Sequence, residues 1–516
     1  MRRWHSLYEM FQFPIGVIVF AIFLLGAGNI VTNPTFNSII TVRNDFVLLV
    51  GEACVRLGTF LVVNFPLFLL LRSVTRKAGS ATTILSALSG YVAYLTFTML
   101  FSRSDLPSTT YSSILGISIT SNIANLASTT RYPLQTGLLP TFIISLVTLA
   151  SYARTRYSSD YGFFSFINKD VMCVVRTVLF SSIVGILVGY AWPYVLQILQ
   201  RMITFISTDT TNPINLMLYG ILDRFLCTLN LGTLIRSPFW YGTNGGSWIN
   251  MAGISVAGDV NIWTGQLTSD ALSGMTGRFI TPYYVINLFA IPGLIWGIYS
   301  INTDKLEKRR LLLYEILLTI ISILAGVLLP MELTLFFLCP FLYIFHLFYS
   351  GILFGIFQAM RVFVGYNYTG TSIITAMPGT LLEFLSYFSN ATLTSSLLKI
   401  LLVGGITFFI YFFFTRFYFK YLALDLFRVG DKDRLIDGTI EAVGGIENVK
   451  LVHSSMNRLI ISLYNPTKLN ITQLKSLGSI RVTETKAGYA ISYGAASTMV
   501  RIGIDQRMKE YIRDVD

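Results

Sequence analysis

The sequence predicts a polytopic α-helical membrane protein of about ten transmembrane helices plus re-entrant hairpins, ending in a small cytosolic α/β domain. Three observations point there. Of 516 residues, 53% are hydrophobic and only 12% charged, with a mean hydropathy of +0.63, far outside the range of soluble globular chains. Apolar windows long enough to cross about 30 Å of hydrocarbon recur along most of the chain. Near Leu424 the composition then turns to alternating and amphipathic patterns.

The windows run over 13–30, 46–71, 84–101, 137–153, 171–199, 214–234, 281–299, 311–329, 333–357 and 397–414. An even number of crossings puts both termini on one side. Basic connections occur at Arg2 and Arg3, within 72–77, at Arg154 and Arg156, within 305–310, and at Arg416 with Lys420. They share a face if one deviation is absorbed between Arg236 and Thr276, and the positive-inside rule makes that face the cytoplasm. The opposite loops, such as 32–43 and 104–136, are rich in Ser, Thr and Asn and poor in Lys. The basic N-terminus lacks a small-residue cleavage site and reads as a retained first span. A net charge of +12 would suggest nucleic acid in a soluble protein. Here it falls mainly in short membrane loops, so the expected partners are lipid and not nucleic acid.

Cys54, Cys173, Cys227 and Cys339 lie singly in apolar segments. Their spacing fits neither a disulfide framework nor a metal site, and no metal or cofactor is expected.

Two regions do not read as simple spans. Residues 237–277 are glycine-rich, carry Trp240, Trp248 and Trp263, and are too polar to cross and too apolar to be a solvated loop. Re-entrant or cavity-lining backbone is the economical reading. The second is VLLPMEL, 327–333, where Glu332 follows Pro330 at the end of an apolar segment. An ionisable group at membrane depth costs several kcal/mol unless it faces a cavity or a partner, and Pro330 fits a broken helix. The alternative places Glu332 at a membrane edge.

The last stretch reads as a helix over 433–443, then Gly444 and Gly445, strand-like runs at 456–464, IRVTE and YAISYG, and helices at 472–477 and from Ser497 onward. The expected division is a membrane domain over 1–420, a linker over 421–430 and a cytosolic domain over 431–516.

Several segments, in order and spacing, resemble the glucose-type sugar permeases of the bacterial phosphotransferase system, in which a membrane IIC domain is fused to a cytosolic IIB domain. PIGVIVFAIFLLGAGN, NFPLFLLL and YGFFSFINKD are similar to its early signposts. LYGILDRFLCTLNLGTLIRSPFW, AGDVNIWTG, GRFITPYYVINLFAIPGLIWGIY, LLPMEL and AVGGIENVKLV complete the set. The resemblance implies a bacterial cytoplasmic-membrane protein, a homodimer, a sugar or glycoside ligand, and a cytosolic regulatory or phosphotransferase partner.

The departures from the family pattern carry the information. Ser455 stands at the position of the phosphorylated Cys, Asn457 at a Thr, Arg458 is retained, Ile460 replaces a second Arg, and Ala490 replaces a Gln. A thiolate is an accessible nucleophile, whereas a Ser hydroxyl needs a positioned base. Ile cannot replace a guanidinium clamp on phosphate. His453, the only His of this domain, has chemistry that permits phosphate acceptance, but a lone loop His is usually just solvated. In the membrane domain the family's two-Glu motif keeps only Glu332, and its paired His become Gly232 and Thr233. Arg224 is retained, with Asp223 where Asn is usual.

By resemblance, the substrate-binding candidates are Glu332, Arg224, Asp223, Thr233 and Asp259, with glycine-rich residues between Gly242 and Asp259 lining the same cavity. Arg224 could instead pair with Asp223, and Trp240 could stack on a pyranose ring. The phosphoryl-transfer positions are not intact, so the enzymatic half of the family's activity is in question. The expected function is a permease that binds and translocates a sugar without phosphorylating it. The alternatives are a membrane sugar sensor signalling through its vestigial IIB-like domain, and a permease served by a IIB domain in trans.

Overall fold

The structure is a computed structural model and describes residues 2–33, 44–101, 134–156, 168–272, 274–303, 305–326, 328–367, 378–422, 432–455, 457–479, 481–485 and 487–515. Most of the expected loops 32–43 and 104–136, part of the YGFFSFINKD segment, and the linker 421–430 beyond Leu422 lie outside them.

The first window becomes α1 (Arg2–Thr32). The second, expected as one span, is two helices, α2 (Asp45–Val63) and α3 (Phe65–Ala78). The break falls at Asn64, because Pro66 in the first turn of α3 lacks the N–H needed to continue the α2 ladder. Capping by Asn44, whose Oδ1 accepts from Phe46 N–H at 2.9 Å, starts α2. Ser80 caps α4 (Ala81–Leu100) through Thr83 N–H. Then come α5 (Leu139–Thr155), the 39-residue α6 (Lys169–Ser207) and α7 (Pro213–Thr228). The window 214–234 is also interrupted: Asn230 turns with φ 60° and α8 (Gly232–Trp240) starts anew.

Residues 237–277 form a short antiparallel hairpin of β1 (Ser247–Ile249) and β2 (Ser255–Ala257), then α9 (Asp259–Thr268). Next, α10 (Thr281–Val285) runs through one π-helical stretch, Ile286–Ala290, into α11 (Ile291–Ile301). Pro292 removes a ladder donor just where the helix widens. The next elements are α12 (Lys305–Ala325), α13 (Leu329–Leu338), α14 (Pro340–Met360), α15 (Leu381–Ser386) and α16 (Thr394–Phe417). The window 333–357 is thus split at Cys339, ahead of Pro340.

Among the described residues, seven helices are long and apolar enough to cross a membrane: those at Phe13–Thr32, Asp45–Val63, Ala81–Leu100, Lys169–Ser207, Thr281–Ile301, Pro340–Met360 and Thr394–Tyr421. Glu315–Ala325 and Leu329–Leu338 are shorter apolar helices. Each expected window is helical over most of its described residues, but four of them are broken, at Asn64, Asn230, Gly326 and Cys339.

The chain divides into two compact units, Met10–Pro282 with Tyr349–Pro378, and Met1–Glu9 with Tyr283–Phe348 and Gly379–Asp516. In the former, α4 and α6 pack closely because small residues recur every fourth position on α6. A Cβ at Gly185 would lie 2.9 Å from the Tyr94 carbonyl oxygen, and one at Gly189 would lie 3.2 Å from Phe101 Cβ. Backbone approach of this kind is how membrane helices associate without a hydrophobic driving force. In the latter unit, Gly293 and Gly297 of α11 do the same against Phe408, Phe412 and Thr415 of α16.

The C-terminal part holds α17 (Lys432–Ala442), β3 (Val449–Ser454), β4 (Leu459–Leu463), α18 (Ile471–Ser476), β5 (Val482–Thr485), β6 (Gly488–Ile491) and α19 (Ser497–Val515). The sheet is antiparallel in the order β3-β4-β6-β5. β3 was not expected as a strand, since its sequence VKLVHS alternates only weakly. One face of the sheet, with Val452, Leu459, Ile461 and Ile491, packs against Leu435, Ile436, Val500 and Ile504 of the helices. Asn448 ties the GGIEN turn to this core: its Nδ2 donates to the Val443 carbonyl at 2.7 Å and its Oδ1 accepts from Asn465 N–H at 2.7 Å.

Candidate functional site

Three constellations hold the residues singled out by sequence. The first lies on α7 and α8. Asp223 is fully buried and sits between two guanidiniums. Arg224 donates to its Oδ2 through Nε at 2.9 Å and Nη2 at 2.6 Å, and Arg236 donates to its Oδ1 through Nε at 2.6 Å. The turn at Asn230 makes this possible by folding α8 back along α7. Arg236 also lies 5.0 Å over the ring of Trp240, one helical turn further on.

Arg224 therefore has the Asp223 partner that competes with a ligand role. Trp240 is wholly buried, its Nε1 donating to Tyr219 Oη at 3.0 Å, so in this conformation it packs rather than offers a ring face. Thr233, on the same α8, accepts a short hydrogen bond from Gln135 Nε2. Gln135 is 2% exposed and was not anticipated. It stands outside every apolar window, where nothing in the sequence marks it.

Asp259 opens α9 and is 1% exposed. Its carboxylate accepts from the backbone N–H of Gly277 at 2.8 Å and of Phe279 at 3.3 Å. Gly277 has φ 98°, and a Cβ there would meet Gly365 N at 2.5 Å, so only glycine lets the chain pass with its N–H aimed at Asp259. Burial pushes the Asp259 carboxyl up to about 6, against the amide hydrogen bonds and the Arg278 charge that pull it down. These contacts make Asp259 a clamp on the start of α10.

The second constellation is built around Glu332. α12 ends at Ala325, Gly326 turns with φ 64°, and α13 begins with Pro330 in its first turn. This is the broken helix that VLLPMEL suggested. Glu332 sits in that first turn, 1% exposed, where the amide ends of the helix favour an anion. Its Oε1 lies 3.5 Å from Nε2 of His346 on α14, and His346 Nδ1 lies 2.9 Å from Tyr411 Oη on α16. The sequence reading missed His346: it and Glu332 lie seven residues either side of Cys339, and only the helix break there brings them together. A second buried carboxylate, Glu383 on α15, accepts from Tyr387 Oη at 2.9 Å.

The third lies on the C-terminal sheet, at the end of β3 and on the inner strands β4 and β6. Ser455 follows β3 in the tight turn to β4, its N–H donating to the Arg458 carbonyl at 2.8 Å, and it is only 4% exposed. Ile460 lies directly across from Ala490 in the β4–β6 register and from His453 in the β3–β4 register. Ile460 and Ala490 are 3% and 1% exposed. Ile460 and Ala490 are thus cross-strand neighbours and make a buried apolar pair. Ser454 N–H, one residue before, donates to Thr303 Oγ1 at 3.0 Å, and Thr303 N–H donates to the Ser454 carbonyl at 3.0 Å. This pairing joins the loop after α11 to the end of β3.

A polytopic helical membrane protein with a small C-terminal IIB-like domain is the class that fold and sites define. No family model matches the chain. Among 46 curated proteins that match, the glucoside-specific EIICBA component of the phosphotransferase system from Staphylococcus carnosus (strain TM300) is 24% identical over 528 residues, covering 96% of this chain and 72% of that protein. The chain is accordingly similar to a phosphotransferase-system permease with fused EIIC and EIIB parts, and with its apolar helices this marks a multi-pass protein of a bacterial membrane.

Proposed function

We propose that this phosphotransferase-type permease binds and translocates a sugar or glycoside, a glucoside being the first candidate from its relative, and does so without phosphorylating it. One observation carries the reading. Where the resemblance puts phosphate uptake, Ser455 is buried, and Ile460 and Ala490 on the inner strands are apolar and face each other. A hydroxyl needs a positioned base to become a nucleophile, and at Ile460 and Ala490 an arriving phosphoryl group would meet alkyl groups, with Arg458 the guanidinium that remains in the Ser455 turn.

Glu332 supplies the sugar acceptor on this reading. A buried carboxylate that can take hydrogen bonds from vicinal hydroxyls recognises a sugar strongly. Arg224, Asp223 and Thr233 are proposed as further recognition groups, and Asp259 as the clamp that positions its loop. The domain boundaries at 420 and 431, cytoplasmic termini and a homodimer complete the proposal.

The test is incubation of the full chain with phosphoenolpyruvate and the phosphotransferase carrier proteins. No radioactive phosphate should enter the protein, and label on Ser455 or His453 would overturn the reading.

A sensor role is the second reading. The paired hydrogen bonds between Thr303 and Ser454 favour it, because they connect the loop after α11 to the vestigial domain. Sugar binding with no uptake in proteoliposomes would select the sensor.

A further inference from the structure

We propose that Glu332, His346 and Tyr411 form a proton-holding site, so that sugar movement through this chain carries a proton with it. This deepens the reading above and rests on it for the sugar half only.

Three titratable side chains from three helices meet in a row, and all are 1% exposed or less. The imidazole stands in the middle. Its Nε2 faces Glu332 Oε1 at 3.5 Å and its Nδ1 faces Tyr411 Oη at 2.9 Å. Each ring nitrogen can hold or release one proton, so the ring can pass a proton between its two ends by changing tautomer. Chains of Glu and His at such depth in transport proteins are proton paths by default.

Neither α13 nor α14 contains a Lys or Arg. The other ionisable groups on these helices and their neighbours are Tyr299 on α11, Lys305, Glu307, Lys308, Arg309, Arg310, Tyr314 and Glu315 on α12, Cys339 between α13 and α14, Tyr343 and Tyr349 on α14, Glu383 on α15 bonded to Tyr387, and Lys399, Arg416, Tyr418, Lys420 and Tyr421 on or just past α16. Arg416 lies over the Phe412 ring at 5.6 Å, and Lys399 is more than three turns of α16 before Tyr411. One proton on the pair makes it neutral in sum, either as carboxylate with imidazolium or as carboxylic acid with neutral imidazole.

A neutral pair crosses apolar surroundings at far lower cost than a bare carboxylate. The proton enters from water on the side where sugar binds and leaves to water on the side where sugar is released. No bond other than O–H and N–H is made or broken. A chain that has lost its phosphoryl-transfer groups would in this way retain a source of drive.

Two measurements on the full-length chain in lipid test it. The chain has three His, so ¹⁵N-histidine labelling in nanodiscs gives a countable spectrum, with His346→Gln identifying the His346 signals. Glu332→Gln and, separately, Tyr411→Phe should each move the His346 ring-nitrogen shifts by several ppm, as expected for a changed tautomer or charge. Unchanged shifts in both variants overturn the site.

In proteoliposomes, radiolabelled methyl β-glucoside should accumulate about tenfold per unit of imposed pH gradient if one proton accompanies each sugar. Uptake indifferent to the gradient overturns the coupling. No uptake at all removes the permease reading and leaves the ring-nitrogen shifts to decide the proton site by themselves.

Discussion

The surroundings of Glu332 and the inner strands of the C-terminal sheet are built in opposite ways. Around Glu332, the imidazole of His346 comes from α14, and the polar groups there are hydrogen-bonded through to Tyr411. On the inner strands β4 and β6, Ile460 and Ala490 are buried directly opposite one another, and Ser455 is buried in the turn before β4. A buried polar network persists only while its members satisfy each other. The contrast between a hydrogen-bonded polar network and an apolar pairing is what motivates the proposal that sugar recognition and phosphoryl chemistry are separated within one chain.

The largest expected effect lies in the polar membrane part. Asp223→Ala would leave Arg224 and Arg236 without the carboxylate they share, and should lower stability by about 3–5 kcal/mol, read as a large drop in unfolding temperature in detergent. A variant as stable as the parent would mean that the ion cluster is dispensable and weaken the comparison.

Asp259 gives a pH signature of similar sign. Its carboxyl is raised from the ordinary range near 3.8 to about 6 in the folded chain, so the folded state binds a proton that the unfolded state releases. Stability should be greatest below about pH 4 for this group and fall by no more than about 3 kcal/mol as pH rises to about 6. Asp259→Asn should flatten that part of the profile, and an unaltered profile would show that Asp259 is not its source.

Glu332→Gln comes next. It removes a charged acceptor while keeping shape, and should weaken glucoside binding about ten- to a hundredfold by equilibrium dialysis. Equal affinity would return Glu332 to the role of a carboxylate stabilising a helix start. The smallest effect is expected from Ser455→Cys. A thiol at this position alone leaves Ile460 and Ala490 in place, so phosphate labelling should stay at background, and strong labelling would show that the apolar pair is no obstacle.

Much of the fold was legible because apolar length is a strong signal: each window from 13–30 to 397–414 is helical over most of its described residues. The breaks were not. Asn64, Asn230 and Cys339 interrupt runs whose hydropathy stays high, because a helix is ended by a local donor lost at Pro66 or Pro340, or by a single left-handed residue at Asn230. Glu332 was legible as a buried charge beside a Pro. His346 was not, since its relation to Glu332 depends on the bend at Cys339 and on Tyr411, 65 residues further along the chain. Gln135 and Arg236 escaped for the same reason: long-range partners carry no local pattern.

The most direct test of the central claim is the chemical form of the sugar that enters. Proteoliposomes holding the full chain, with phosphoenolpyruvate and the carrier proteins inside, are given radiolabelled methyl β-glucoside, and the internal label is separated by charge. All of it should be recovered as free glucoside, whereas label recovered as a sugar phosphate would contradict the account.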